Sequence, residues 1–135
     1  MPVRFRRFPH QKKTITNKPY APLEKDICKS FYHQYRIRQQ FNQIRNDILI
    51  YHIPNQQFTN IVYSIESKRM GMLAGVFDYT ILIKGKGIAY IEFKRNAKCK
   101  LTPSQIAFTK ILDLFGIKWL VTHDIEEALK FIESL

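Results

Sequence analysis

The chain has 135 residues, enough for one small domain and too few for a second independent core. Apolar residues make up 45% of the chain and charged residues 24%, which is a globular composition. The 22 lysines and arginines outnumber the 11 acidic residues, and the formal net charge is +11. This basic excess indicates a polyanionic partner, either nucleic acid or an anionic membrane surface.

Composition also excludes several classes of protein. No apolar run approaches the ~20 residues that cross a bilayer, and no apolar stretch follows the charged N-terminus, so we expect neither a membrane span nor a signal peptide. Cys28 and Cys99 have neither zinc-site spacing nor the number needed for a disulfide framework. We therefore expect a cytoplasmic protein with reduced thiols. A membrane-surface protein needs an amphipathic basic helix, and residues 1–20 lack that periodicity.

Residues 1–20 are predicted to be a flexible basic arm. They contain Arg4, Arg6, Arg7, Lys12, Lys13 and Lys18 and no acidic residue. Their prolines disfavour a helix. Such an arm would contact a phosphate backbone or serve only as a solubilising tail. Residues 21–135 are predicted to form one domain without internal repeats.

The first half of this domain predicts a helix, a strand and a second helix. Apolar residues recur every four positions after Pro22, which indicates a helix whose inward face carries Leu23, Ile27, Phe31 and Tyr35. Residues 47–53 form a short apolar run that ends at Pro54, typical of a strand. Residues 59–69 are predicted to be helical, with three residues inward: Ile61, Val62 and Ile65. Residues 71–75 begin and end with glycine, so we expect a flexible connection there.

The second half predicts a hairpin followed by a helix, a strand and a last helix. Residues 77–84 and 88–95 flank Gly85-Lys86-Gly87, which is a hairpin signal. The run Thr102-Pro103-Ser104-Gln105 is a capping box that begins a helix, and Gly116 is its predicted C-cap. Residues 117–121 predict a strand, and Asp124 caps the final helix. The order α-β-α-β-β-α-β-α predicts a mixed sheet flanked by helices.

The hairpin contains the residues that suggest chemistry. If residues 85–87 form a three-residue loop, Asp78 faces Lys94 and Thr80 faces Glu92, and all four side chains share one face. The apolar side chains at 77, 79, 81, 89, 91 and 93 then share the other face. Two neighbouring carboxylates repel each other, and Mg²⁺ relieves that cost by binding their oxygens. With a lysine beside them, they can support metal-assisted hydrolysis of a phosphodiester.

These residues also carry a resemblance to a known family. Residues 71–78, Gly-Met-Leu-Ala-Gly-Val-Phe-Asp, and the later Glu92-Phe-Lys94 resemble the signature of the PD-(D/E)XK nucleases, and within that superfamily the stand-alone VRR-NUC domain. His52-Ile-Pro54-Asn55 and Leu101-Thr-Pro-Ser-Gln105 extend the resemblance over roughly residues 22–135. It implies an α/β, restriction-endonuclease-like fold and an endonuclease that uses Mg²⁺, with Mn²⁺ as an alternative ion. Small members of the family are homodimers that cut branched DNA such as four-way (Holliday) junctions.

The resemblance also implies roles for individual residues. Asp78, Glu92 and the carbonyl of Phe93 would be metal ligands, Lys94 would position or activate the water, and Gln105 would point into the site. The family usually adds a glutamate from the first helix. Glu24 is the candidate for that position, and Asp26 competes with it. Two positions depart from the family pattern: Phe77 replaces the usual proline, and Gln56 replaces an acidic residue.

Basic side chains on both sides of the hairpin are the candidate nucleic-acid contacts. They are Lys68 and Arg69 before the glycine-spaced segment, and Lys98 and Lys100 after the hairpin. Such side chains suit phosphate contacts. His52, beside the turn at Pro54, is a further candidate for DNA contact, or else a half-buried histidine.

Each of these assignments has a simpler structural alternative. Asp78 and Glu92 would be ordinary solvent-face charges, with Lys94 as the ion-pair partner of Asp78. Gln105 would only complete the capping box, and Glu24 would only stabilise the N-terminus of its helix through its negative charge. The alternative function is a non-catalytic nucleic-acid-binding module that retains the nuclease fold, and an assay of metal dependence separates the two functions.

Overall fold

The computed structural model of the protein describes residues 22–54 and 61–135. These residues form the elements α1 (Glu24–Gln40), β1 (Ile48–His52), α2 (Ile61–Arg69), β2 (Tyr79–Ile83), β3 (Gly87–Phe93), α3 (Pro103–Leu114), β4 (Lys118–Thr122) and α4 (Ile125–Ser134). The predicted order of helices and strands is therefore confirmed within the described ranges. The predicted arm, residues 1–20, and the departure at Gln56 lie outside the described residues.

The strands form one mixed sheet with the spatial order β1-β2-β3-β4. β1, β2 and β3 pair antiparallel, whereas β3 and β4 pair parallel. A parallel pair needs a crossover connection, which α3 supplies between β3 and β4. The expected fold class, a mixed sheet with helices on both faces, is confirmed. Within the described residues, no helix is both long and apolar enough to cross a bilayer.

The hairpin register differs from the prediction by two residues. Tyr79 pairs with Ile91 and Ile83 pairs with Gly87. The loop is therefore residues 84–86, closed by a hydrogen bond from the Lys86 N–H to the Ile83 carbonyl at 3.1 Å. Gly87, with φ of +120°, begins β3 instead of ending the loop.

This register changes which residues face each other but not the face they share. A shift of two residues preserves the alternation of side chains along a strand. Continuing the register by one pair places Asp78 opposite Glu92 instead of Lys94, and Thr80 pairs with Tyr90 instead of Glu92. The predicted pairing of Asp78 with Lys94 is therefore wrong, and the two carboxylates come closer than the sequence analysis expected.

Helices cover both faces of the sheet. The predicted inward residues of α1, Ile27, Phe31 and Tyr35, are buried, while Leu23 lies just before the helix and is 43% exposed. α4 packs on the same face as α1, and the two helices share one core with the sheet. α3 packs Phe108 and Leu112 on the other face, in a second cluster.

Phe77 lies on the opposite face from the predicted one. Its ring is 5.4 Å from that of Phe108 and 6.0 Å from that of Trp119, in the α3 cluster. The expectation that Phe77 shares a face with Tyr79 is wrong because β2 begins only at Tyr79, so the alternation of a strand does not extend back to residue 77.

The orientation of α2 also differs from the prediction. Ile61, Val62 and Ile65 are 78%, 66% and 47% exposed, whereas Ser67 is buried at 1%. Apolar spacing identifies one face of a helix but not the surface against which the helix packs. In α2 the apolar face points outward. The predicted first residues of this helix, 59 and 60, lie outside the described ranges.

The predicted helix ends are confirmed for α3 and α4. The Thr102 hydroxyl accepts a hydrogen bond from the Gln105 N–H, and Asp124 accepts one from the Glu126 N–H. At the other end of α3, Gly116 has φ of +65° and donates to the Asp113 carbonyl, while the Ile117 N–H donates to the Leu112 carbonyl. This is the Schellman arrangement that a glycine after a helix favours.

Candidate active site

Asp78 and Glu92 lie side by side where β2 begins and β3 ends. The Asp78 N–H donates to Glu92 Oε2 at 3.1 Å, and the Phe93 N–H donates to Asp78 Oδ2 at 2.8 Å. Each carboxylate therefore bonds to the backbone of the opposite chain segment. Glu92 is 2% exposed. It is not the solvent-face charge of the simpler alternative.

Lys94 directly follows β3 and lies two residues after Glu92, with which it makes contact. Its Nζ donates to Glu92 Oε1 at 2.9 Å and to Gln105 Oε1 at 2.9 Å. Lys94 is 8% exposed. Its ion pair is therefore with Glu92, two residues earlier, and not with Asp78. A buried ammonium group needs such partners because its desolvation is costly.

Gln105 belongs both to a helix cap and to this cluster. The Thr102 N–H donates to Gln105 Oε1 at 2.9 Å, which completes the capping box of α3. Gln105 Nε2 also donates to Glu92 Oε1. The two alternatives for Gln105 are thus not exclusive, because one side chain makes both sets of contacts.

Gly75 lets the chain before β2 pass directly over the start of α3. An ideal Cβ at this position would lie 2.3 Å from the Ser104 carbonyl carbon and oxygen and 2.6 Å from the Gln105 nitrogen. Its φ of +79° is also a conformation that side chains disfavour. Gly75 therefore packs against the backbone that presents Gln105 to Glu92.

Burial makes the charges of the two carboxylates costly. Desolvation, and then repulsion from Asp78, raise the pKa of Glu92 to about 7, although Lys94 opposes the shift. Burial also raises the pKa of Asp78, against the opposing effects of the Phe93 N–H and the nearby basic groups of His52 and Lys94. A cation between the two carboxylates would remove both costs.

Glu24, and not Asp26, extends toward this cluster from α1. Glu24 Oε1 lies 3.9 Å from Lys94 Nζ, and the Glu24 side chain is 48% exposed. Asp26 instead accepts a hydrogen bond from the Leu23 N–H at 3.3 Å at the start of α1. The structure therefore places Glu24 near the cluster, while its role as a ligand stays a prediction.

The donor atoms of the site suit a hard divalent cation. Asp78 and Glu92 supply carboxylate oxygens, while the Phe93 carbonyl as a further ligand stays a prediction. Among residues 22–54 and 61–135, no three His, Cys, Asp or Glu side chains are grouped closely enough to hold a metal by themselves. Two carboxylates fit Mg²⁺, which keeps several waters, better than they fit a zinc site.

A cavity of about 530 Å³ opens beside Asp78, between α1 and β1. Its lining is Glu24, Lys25, Cys28, Lys29, Tyr32, Ile50, Tyr51, His52, Asp78 and Tyr79. The His52 ring is 5.2 Å from the Tyr79 ring, and His52 is exposed. His52 and Asp78 line the same cavity, and His52 is exposed, not half-buried; its contact with DNA stays a prediction.

Cys28 does not have the surroundings of a nucleophile. Cys28 lines the cavity but is partly buried, and this burial raises the pKa of its thiol to about 12. Cys99 is exposed. A thiol held protonated at neutral pH is a poor nucleophile and a poor metal ligand.

The predicted basic contacts lie on the surface. Lys68 and Arg69 end α2, where Arg69 pairs with Glu66 at 3.4 Å. Lys98 and Lys100 are exposed in the segment that leads to α3. Their contact with nucleic acid stays a prediction.

The sequence analysis did not identify two lysines of α1 that line the cavity. Lys25 and Lys29 are four residues apart and therefore lie on one side of the helix. The sequence feature that could have identified them is their position three residues before and one residue after Cys28, next to the inward face of α1. Their position could not be predicted because apolar spacing does not show which other side of α1 faces the cavity.

Comparisons with known proteins support the fold. No protein-family model and no curated protein matches the chain. A solved structure described as "VRR_NUC domain" superimposes on 84% of this chain and 97% of its own, with a TM-score of 0.54 and 17% sequence identity. This chain therefore has a VRR-NUC-like fold.

Proposed function

We propose that this protein is a Mg²⁺-dependent endonuclease that hydrolyses DNA phosphodiesters. The observation that carries the proposal is the cluster of Asp78, Glu92, Lys94 and Gln105 in a VRR-NUC-like fold, in which Glu92 and Lys94 are buried. Burying a carboxylate beside a second carboxylate costs stability, and apolar side chains would pack there without that cost. A function in metal binding explains why the cluster is present.

The chain supplies defined groups for this chemistry. Asp78, Glu92 and the Phe93 carbonyl would hold the ion, with Glu24 as an additional acidic group. A bound Mg²⁺ would lower the pKa of a water molecule and stabilise charge on the phosphate. Lys94 Nζ, fixed by Glu92 and Gln105, supplies a positive charge for the attacking hydroxide or for the phosphate oxygens.

DNA is the proposed substrate because the chain as a whole is strongly basic. The net charge of +11 favours a long polyanion over a small phosphate ester. Lys68, Arg69, Lys98, Lys100 and His52 are the proposed contacts of the nuclease domain, residues 21–135. The basic residues 1–20 add phosphate contacts. We place this activity in the cytoplasm, where Cys28 and Cys99 would stay reduced.

The substrate is proposed to be branched DNA, and the active form a homodimer. One site cuts one strand, and a two-fold axis would place a second site on the other strand of a junction. Light scattering at micromolar concentration should give twice the chain mass of 16.1 kDa. The monomer mass would contradict the dimer and the paired cuts.

A cleavage panel tests the proposed activity. Single-stranded, duplex, flap and four-way-junction DNA are each incubated with the protein in Mg²⁺, in Mn²⁺ and in EDTA. We expect cleavage only with a divalent ion, and most on branched substrates. Binding of all four DNAs without cleavage under any condition would contradict the nuclease and favour a non-catalytic nucleic-acid-binding module.

A further inference from the structure

The cavity beside Asp78 extends well beyond the proposed metal site. Glu24 and Tyr32 both line it, and they are eight residues apart on α1. At the rise of an α-helix, this separation corresponds to about 12 Å along the axis. The volume of about 530 Å³ is in the range of pockets that hold ligand-sized molecules. The cavity therefore has room for more than an ion and a phosphate.

Aromatic side chains from α1, β1 and β2 form part of the cavity lining. Tyr32 is 39% exposed on α1, and His52 is exposed at the end of β1. Tyr79, whose ring is 5.2 Å from that of His52, is 3% exposed, and its hydroxyl donates to the Cys28 carbonyl at 3.1 Å. This hydrogen bond and the burial of Tyr79 fix one wall of the cavity.

Positive charge borders the same space. Lys25 and Lys29 line the cavity from α1, one turn apart on the same side of the helix. Exposed aromatic rings together with lysines are the combination that binds single-stranded nucleic acids, in which the rings stack on bases and the ammonium groups contact phosphates.

We infer that this aromatic part of the cavity binds an unpaired nucleobase of the strand whose phosphate lies at Asp78, with Tyr32 and His52 as the stacking residues. The inference rests on the proposed function and specifies its substrate. A base in an intact duplex is paired and stacked, and it reaches a pocket only at the cost of unstacking. The pocket therefore selects unpaired nucleotides, as in single strands, flaps and open junctions, with little preference for sequence.

The test separates base contacts from phosphate contacts. The full chain in EDTA, where no strand is cut, is titrated into a fluorescent oligothymidylate of about 12 nucleotides and into an abasic strand of equal length. Both strands carry the same phosphates. We expect the wild-type protein to bind the oligothymidylate about tenfold more tightly.

The variants assign that preference to the pocket. Tyr32→Ala and His52→Ala should each remove most of the preference for oligothymidylate, and Tyr32→Phe should retain it. Ile37→Ala is the matched control, because Ile37 lies on the same helix with the same 39% exposure and should leave the preference unchanged. Thermal melts confirm that each variant is folded.

The outcomes distinguish this inference from the proposed function. If the wild-type protein binds both strands equally, or if the two alanine variants weaken both strands by the same factor, the base pocket is contradicted and DNA binding stands. If neither strand binds, both the pocket and the proposed substrate are contradicted. A lack of cleavage in the panel above would contradict the nuclease alone, because the binding ratios are measured without metal.

Discussion

Glu92 accepts hydrogen bonds from three groups: the Asp78 N–H, the Lys94 ammonium and the Gln105 amide. These bonds orient a buried carboxylate, but they do not cancel the repulsion from Asp78. The raised pKa of Glu92, about 7, shows that its ionised form is disfavoured in the folded chain. At the scale of single residues, this repulsion is the reason that we propose a cation at the site.

The first prediction concerns stability in EDTA. A carboxyl whose pKa rises on folding contributes stability below its unfolded pKa, and that contribution is lost as the pH rises through its folded pKa. The wild-type protein should therefore lose stability between pH 5 and about pH 8. Asp78→Asn removes the repulsion but keeps an acceptor for the Phe93 N–H, so it should melt a few degrees higher at the upper pH.

Added Mg²⁺ is the control for that prediction. It should raise the melting temperature of the wild-type protein at about pH 8, since ligands that bind only the folded state stabilise it. It should leave Asp78→Asn nearly unchanged. If Asp78→Asn is less stable in EDTA and responds to Mg²⁺ like the wild-type protein, the carboxylate pair is not a metal site.

The second prediction separates the two roles of Gln105. Thr102→Ala removes the capping hydroxyl and should cost about 1 kcal/mol of stability, with cleavage retained. Gln105→Ala removes the contacts to Lys94 and Glu92 as well, so cleavage should fall at least about tenfold, which corresponds to ~1.4 kcal/mol. Urea unfolding and initial cleavage rates measure both effects. Equal cleavage rates of the two variants would mean that Gln105 acts only as a helix cap.

At the scale of elements, the site depends on how closely the segment before β2 packs on the start of α3. The third prediction compares two glycines of that segment. Gly75→Ala should destabilise the protein by more than about 2 kcal/mol and reduce cleavage, because its methyl group would clash with the Ser104 backbone. Gly71→Ala is matched in its positive φ of +90° but has nothing within 4 Å, so it should cost only about 1 kcal/mol.

Chemical unfolding and cleavage rates of both variants check this comparison. Equal losses for the two glycines would mean that backbone strain alone matters and that the close approach to α3 does not.

The elements show what the sequence can and cannot predict. Order, helix caps and strand faces follow from local patterns, as the capping box at Thr102 and the glycine at Gly116 illustrate. The register of the hairpin depends on which residue of a glycine-rich loop begins β3. Two registers that differ by two residues place the same side chains on the same faces of the sheet. The side chain facing Asp78 therefore could not be predicted from alternation alone.

Tertiary packing explains the other differences. The outward apolar face of α2 and the position of Phe77 in the α3 cluster depend on neighbours that are distant in sequence. For the candidate site, the resemblance to nuclease motifs supplied Asp78, Glu92, Lys94 and Gln105. It did not supply Lys25, Lys29 or Tyr32, because tertiary packing decides which side of α1 lines the cavity.

At the scale of the whole molecule, the net charge of +11 should dominate binding to DNA. The fourth prediction is a strong dependence of affinity on salt. If six phosphates are contacted, log K should fall with log salt at a slope of about −5. Deletion of residues 1–20, which contain six basic residues, should flatten the slope. Titrations at several salt concentrations measure this slope. An unchanged slope after the deletion would show that residues 1–20 do not contact the DNA.

The central claim is that Asp78 and Glu92 hold the metal ion that cleaves DNA. The most direct test measures cleavage and binding of one branched DNA by wild-type protein and folded Asp78→Asn. Asp78→Asn should lose cleavage in Mg²⁺ and should bind the DNA as tightly as the wild-type protein or more tightly, since a negative charge next to the phosphate is gone. Near-normal cleavage by folded Asp78→Asn would contradict the metal site and the proposed nuclease with it.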